Sequence, residues 1–319
     1  MRRKRCALLV VAFVSAALAT ALTSCALLDV EPVAQISVGP VIAYAGEPIL
    51  LDAGDSHGVK EIVSYIWDVD GEQIALGREA TIALSDPGRY ELQLRVEDAG
   101  GRVATAVQEL VVYLRSGSEI LFEDFSDGET ALSRWALDPT WASSSDGTLE
   151  YIVSTRGYSL LIRSAASRWH RRYMQIEIPP LRTGQRIVFS ARIMTLQNQS
   201  EHCFFFAPAR KSIDSMAGSL PYFLFTSEGG DSWVREPTEY GSEVGHPIAF
   251  LPDVYRWHTY TLSFGFDAYT LEIDGDLYFE GPWSAQPLDL TTWYLVFGDE
   301  SLEEACKAYY DDIRITIEE

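Results

Sequence analysis

Carboxylates two residues apart on a strand project to one side, where they can act as an acid–base pair. The nearest such run here is Glu272-Ile273-Asp274-Gly275-Asp276, with Glu280 beyond it. Glycoside hydrolysis with retention needs two carboxyls about 5–5.5 Å apart. Glu272 and Asp274 have the right alternation. Gly275 then turns the chain, so the run reads as solvent-face charge leading into a hairpin. No Gly-x-Ser-x-Gly elbow occurs. The five His form no His-x-x-x-His pair, and there is no metal-type Cys cluster. No catalytic residue is assigned.

Binding needs a platform instead of a base. Aromatic rings stack on the apolar faces of sugar rings, while carboxylates and amides hold hydroxyls. The longest irregular stretch runs from Ser227 to Arg256 and contains Trp233, Tyr240, His246 and Tyr255. A loop of that length is unusual in a compact domain unless it is functional. Trp141, Trp169 and Trp283 also lie in loop-like contexts. The candidate ligand-binding residues are therefore Trp233, Tyr240, Trp141, Trp169 and Trp283. The alternative for each is packing at a sandwich rim.

Three further groups could carry chemistry. Glu123, Asp124 and Asp311 are candidate ligands for a structural calcium, since hard cations take several oxygen ligands. The alternative is an acidic edge strand that resists aggregation. No other cofactor is expected. Arg163, Arg168, His170, Arg171 and Arg172 form a basic run, suited to an anionic glycan or to pairing with the acidic excess. Cys203 and Cys306 are a candidate disulfide in an oxidising compartment, with free buried thiols as the alternative.

What must position these residues follows from length and pattern. A chain of 319 residues has room for about two domains. Hydrophobic residues at 47% and charged residues at 22% are ordinary globular values, which excludes wholesale disorder. Twenty-five Lys+Arg against 46 Asp+Glu give a formal net charge of −21. Nucleic acid is a poor partner for such a chain, because phosphate binding needs concentrated Lys and Arg.

The N-terminus reads as an export signal. Arg2, Arg3, Lys4 and Arg5 precede an apolar stretch from about Ala7 to Leu22, short for a membrane span. Leu22-Thr23-Ser24-Cys25 resembles the bacterial lipobox. That resemblance implies cleavage of a signal peptide at 1–24, lipidation of Cys25, and a tether at 25–32. It implies a bacterial cell-envelope protein, periplasmic or surface-exposed, that meets the membrane through its lipid anchor. The alternatives are a plain secretory peptide and an uncleaved anchor. Loss of residues 1–24 removes four basic side chains and takes the formal charge from −21 to −25.

Residues 33–114 alternate in short segments cut by turns. In Tyr90-Glu91-Leu92-Gln93-Leu94-Arg95-Val96-Glu97 every second residue is apolar, as in a half-buried strand. Asp86-Pro87-Gly88 and Asp98-Ala99-Gly100-Gly101 are flanking turns. Gly46-Glu47-Pro48, Leu51-Asp52, Asp55-Ser56, Tyr65-Ile66-Trp67-Asp68-Val69-Asp70-Gly71 and Pro87-Gly88-x-Tyr90 through Gly101 resemble a PKD domain. The resemblance implies an Ig/Fn3-like β-sandwich that acts as a spacer or interaction module. Trp67 is then the core aromatic. Asp68, Asp70 and Asp98 cap turns or bind a cation.

A polar linker is expected at 115–119, followed by a second domain at 120–319. Strands are expected over Leu149–Val153, Tyr158–Ile162, Tyr173–Ile178, Ile187–Ile193, Cys203–Phe206 and Tyr222–Phe225. The series continues through Tyr260–Phe264, Tyr269–Ile273, Tyr294–Phe297 and Tyr309–Ile317, with no helical period between them. This reads as one large sandwich or jelly roll. Trp257-His258 followed by Tyr269 to Gly275, with Phe122-Glu123-Asp124-Phe125 opening and Tyr310-Asp311-Asp312 closing, is similar to the laminin-G/concanavalin A-like superfamily. The expected fold class is thus all-β, a PKD sandwich followed by a concanavalin A-like jelly roll. Non-catalytic glycan binding is the expected role. The alternatives are a polysaccharide hydrolase of the concanavalin A-like glucanase type, whose Glu-x-Asp-x-x-Glu signature is incomplete here, and a structural or adhesive envelope protein.

Overall fold

A computed structural model describes residues 30–127, 129–137, 148–154, 157–163, 171–196, 203–209, 222–225, 232–237, 243–250, 252–282, 292–299 and 307–319. The chain divides into two compact units, Met1–Tyr113 and Leu114–Glu319. The described residues are nearly all β, in line with the alternation of the sequence.

The first unit contains β1 (Ser37–Gly39), β2 (Ala43–Tyr44), β3 (Ile49–Asp52), β4 (Ile62–Val69), β5 (Glu72–Leu76), β6 (Glu79–Ile82), β7 (Gly88–Asp98) and β8 (Val103–Tyr113). They form two sheets, β1-β3-β6 and β2-β8-β7-β4-β5. Period-2 patterning puts Leu92, Leu94 and Val96 of β7 fully inside, against Ile49, Leu51 and Trp67. Trp67 has no exposed surface, and its Nε1–H donates to the Gly77 carbonyl at 2.9 Å. Tyr90 ties its strand to the preceding turn by donating from its hydroxyl to the Asp86 carbonyl at 2.8 Å.

The turn after β7 is held by Asp98, which is 1% exposed. Its Oδ1 accepts from the backbone N–H of Gly100 at 2.8 Å and of Arg102 at 3.1 Å. Its Oδ2 accepts from the Arg102 guanidinium at 2.6 and 2.9 Å. Turn capping is therefore what Asp98 does. Gly101 sits at φ +78°, where a side chain is strained. Burial opposes ionisation of Asp98, but the Arg102 side chain and the backbone donors outweigh it and hold the carboxyl below its usual value. A depressed carboxylate stabilises the fold above its unfolded value, near pH 4, and that contribution is lost as pH falls through the folded value. Acid titration of Asp98→Asn beside the parent chain, followed by circular dichroism, should show a stability gap at pH 6 that closes toward pH 2. A gap independent of pH would rule out the linkage.

The second unit opens with β9 (Glu119–Glu123), a one-and-a-half-turn helix α1 (Glu129–Arg134) and β10 (Ala136–Leu137). It continues with β11 (Thr148–Ser154), β12 (Gly157–Arg163), β13 (Arg171–Glu177), β14 (Arg186–Thr195), β15 (Cys203–Ala209) and β16 (Tyr222–Phe225). Then come β17 (Ser232–Pro237), β18 (Glu243–Ile248), β19 (Trp257–Phe264), β20 (Ala268–Ile273), β21 (Asp276–Pro282), β22 (Thr292–Asp299) and β23 (Lys307–Glu318). One sheet has the order β10-β13-β22-β15-β16-β17-β18. The other has the order β11-β12-β23-β14-β19-β20-β21, with β9 also on β23. Phe189, Tyr260, Leu262, Phe264, Tyr269 and Leu271 are among the buried residues of the core of this unit.

Two expectations are corrected. The helix α1 was not anticipated: six residues are too few to show a helical period. The stretch from Ser227 to Arg256 is not one long loop, since it carries β17 and β18, which pair Trp233 with Pro247 and Val234 with His246. Pro237, Gly245 and Pro247 hid these strands. Pro247 is tolerated because β18 is the edge of its sheet, and Pro237 because it is the last residue of β17. The segment read as linker bonds to the last strand, Gly117 N–H to Ile317 at 2.6 Å and Ile317 N–H to Ser118 at 2.9 Å.

The expected hairpin at Asp274-Gly275 is present. Both residues have positive φ, +54° and +88°, which a two-residue turn between right-twisted strands requires. Asp274 Oδ1 accepts from Thr259 N–H at 2.8 Å, and its Oδ2 lies 2.8 Å from His258 Nδ1. Burial works against its charge, yet these bonds lower the carboxyl below its usual value. Asp274 is a turn clamp that locks β19 to the β20–β21 hairpin, and Glu272 pairs with Thr261 on the strand before it.

Candidate ligand face

Alternation along β17 sets the candidate site. Ser232 and Val234 are fully buried, and Val234 belongs to the core. Trp233 between them is therefore on the outward face of the seven-stranded sheet, and it is partly exposed. Ser232 anchors the strand by donating from its hydroxyl to the Phe250 carbonyl at 2.6 Å. Register sets position 224 of β16 and position 247 of β18 on either side of Trp233, with Tyr222 and Gly245 flanking Arg235 in the next row.

The same parity extends to the far strands. Leu295 of β22 and Ile176 of β13 are buried. Gln175 and Glu177 alternate with Ile176 and are exposed, and register pairs them with Tyr294 and Thr292. The outward face of this sheet thus combines an indole with amide, carboxylate and aromatic positions. Gln175, Glu177, Tyr222 and Tyr294 were not picked out from the sequence. Each lies on a recognised strand, but a shared face becomes visible only once β13, β22, β15, β16 and β17 are known to be neighbours.

Of the five candidates, Trp233 alone is among the described residues. Tyr240, Trp141, Trp169 and Trp283 lie outside them. So do Cys25 and Cys306, while Cys203 begins β15 opposite Asp299 and Phe225. The basic run is divided. Arg163 ends β12 in the eight-stranded sheet, whereas Arg171 and Arg172 occupy successive, hence opposite-facing, positions of β13. Arg168 and His170 fall outside the described residues.

The calcium candidates each have partners within the protein. Buried Glu123 accepts through Oε2 from Arg134 at 2.7 and 3.0 Å, and through Oε1 from Phe125 N–H at 2.9 Å. Asp124 caps the next turn by accepting from Ser126 N–H at 3.0 Å, and its bonds to Ser126 lower its carboxyl. Asp311 accepts from Ser159 Oγ at 3.3 Å and lies 3.9 Å from Arg192. Burial, and then the neighbouring Asp312 charge, raise the Asp311 carboxyl. Of the three, Glu123 has both carboxylate oxygens engaged by protein donors. Among the described residues no group of three or more His, Cys, Asp or Glu is placed to hold a metal ion.

Arg192 belongs to a second cluster, on the outer face of the eight-stranded sheet. Its guanidinium lies 4.8 Å from the centre of the Trp257 ring and 2.8 Å from Asp312. Met194 stands between Trp257 and Tyr309 in the register, and the two rings are 6.4 Å apart. Stacking on an indole holds the guanidinium flat, and the ion pair with Asp312 fixes its direction.

The architecture defines a two-module β-sandwich protein. Residues 29–112 match the PKD domain family, so the first unit is a PKD domain. No curated protein matches the chain. The solved structures it resembles include the globular domain of Trypanosoma cruzi calreticulin, at 13% identity and TM-score 0.46, covering 62% of this chain and 88% of that one. Carbohydrate-binding modules of the β-sandwich superfamily match at 16% identity and TM-score 0.30, over 89% of this chain and 98% of theirs. A carbohydrate-binding module from Bacillus subtilis matches at 10% identity and TM-score 0.37, over 58% and 96%.

Proposed function

We propose that the second unit is a concanavalin A-like jelly roll that binds a glycan on the outward face of its seven-stranded sheet. The PKD domain serves it as a spacer, in a lipid-anchored protein of the bacterial cell envelope. The observation that carries the binding reading is Trp233. It stands outward between two buried residues, on a sheet face that strand register shares with the positions of Tyr222, Tyr294 and Gln175. An indole stacks on a sugar ring, and flanking amide and carboxylate groups hold its hydroxyls. The anchor reading rests on the basic leader and on Leu22-Thr23-Ser24-Cys25.

A glycan array and a reducing-sugar assay on soluble residues 26–319 test this. One glycan class should bind with no reducing ends released. Trp233→Ala should weaken it by about tenfold or more, since 1.4 kcal/mol is a factor of ten, with the circular dichroism spectrum unchanged. Absence of binding to any glycan, or unaltered affinity in the variant, would remove the reading. Release of reducing sugar would replace it with hydrolysis.

A further inference from the structure

Among the described residues one long strand edge of the PKD domain has no pairing strand. On one side β8 pairs with β7 in an unbroken register from Gly88–Val112 to Glu97–Val103. On the other side β2 covers Val112 and Tyr113. Among the described residues no strand pairs that edge from Val103 to Val111. A groove of about 450 Å³ runs beside it, between Ala34–Ile36 with Asp55 and Ala106–Gln108. Edge strands are ordinarily blunted by shortness, bulges, Pro or Lys. The other edges here are short: β5 has five residues, β1 three and β6 four. By contrast β8 has eleven, with no bulge, Pro or Lys, and Val107 on it is 56% exposed.

The sequence of this edge identifies its occupant. Val103-Ala104-Thr105-Ala106-Val107 reads the same in both directions. An antiparallel pairing with a second copy about Thr105 therefore sets Val opposite Val, Ala opposite Ala and Thr opposite Thr. Cross-strand Val and Thr pairs are favourable, and an isologous contact needs a self-complementary patch of this kind. Beyond the palindrome, Arg102 meets Gln108 and Gly101 meets Glu109, so no like charges face each other. β2 lies at the far end of the strand, clear of the paired segment.

We propose that β8 is a homodimerisation edge, joining two PKD domains into one continuous sheet across a two-fold axis at Thr105. The formal charge of −21 per chain opposes association over long range. Salt screens that repulsion, so the dimer strengthens as ionic strength rises.

Sedimentation velocity on the purified full chain tests this. The chain should show a concentration-dependent monomer–dimer equilibrium. Thr105→Lys and Thr105→Glu each place like charges across the axis and should both be monomeric where the parent is dimeric. Mixed in equal amounts they should recover the dimer, which a misfolded variant could not do. Thr105 is exposed, so circular dichroism should match the parent. A monomeric parent at every concentration, a dimer that survives Thr105→Lys, or no recovery on mixing would each overturn the proposal.

Discussion

Trp67→Ala is expected to destabilise the PKD domain by about 3–5 kcal/mol, the usual loss for a buried Trp cut to Ala. The side chain has no exposed surface and packs among Leu92, Leu94, Val96 and Ile49. Its removal leaves a cavity beside the paired strands β4 and β7. It also strips the Gly77 carbonyl of its donor, and an unsatisfied polar group costs about 1–3 kcal/mol. A domain of this size is stable by about 4–12 kcal/mol at ordinary per-residue values, so the variant should lie close to unfolding. Trp67→Phe keeps most of the volume, loses the N–H, and should lose markedly less. Denaturant unfolding followed by far-ultraviolet circular dichroism gives both numbers. A Trp67→Ala loss below about 1 kcal/mol would mean that the ring is not the centre of this core.

Arg134→Ala should cost the second unit about 2 kcal/mol. Breaking a buried ion pair by removing one partner costs about 3–5 kcal/mol. Arg134 is 41% exposed while Glu123 is 2% exposed, so water recovers part of the loss. What remains is a buried carboxylate on β9 which, among the described residues, keeps the Phe125 N–H as its donor. Glu123→Gln keeps an acceptor for that N–H and removes the stranded charge, so it should cost less than Arg134→Ala. Thermal melts of both variants, with and without EDTA, read this directly. Since a guanidinium already neutralises Glu123, the parent melting point should be unmoved by EDTA or by added calcium. A calcium-dependent rise would show that the carboxylate exchanges Arg134 for the ion.

Local chemistry made much of the fold legible. Leu92, Leu94 and Val96 alternate with polar residues, so their strand and its buried face follow from period alone. Asp274-Gly275 marks a hairpin because few residue pairs accept positive φ twice. Trp67 and its neighbours carry the PKD pattern within a few residues. The β17–β18 hairpin is hidden in the sequence because, among the described residues, Val234 and Ile248 are its core members, and two prolines interrupt the alternation. The surroundings of the calcium candidates are equally hidden in the sequence. Acidic residues at both ends of a domain look like one oxygen cluster until the positions of Arg134 and Arg192 are known.

The sequence by itself determined most of the strands, their turns, the two-unit plan and the acidic character, because each depends on residues close together along the chain. Only the tertiary structure decided which outward faces join. Trp233 and Gln175 come to share a sheet through strands far apart in sequence, and Arg192 meets Asp312 across 120 positions. Strand pairing is made by backbone groups that every residue except proline carries alike, so the order of strands is written in no single residue. It emerges when both sheets must bury their apolar faces at once.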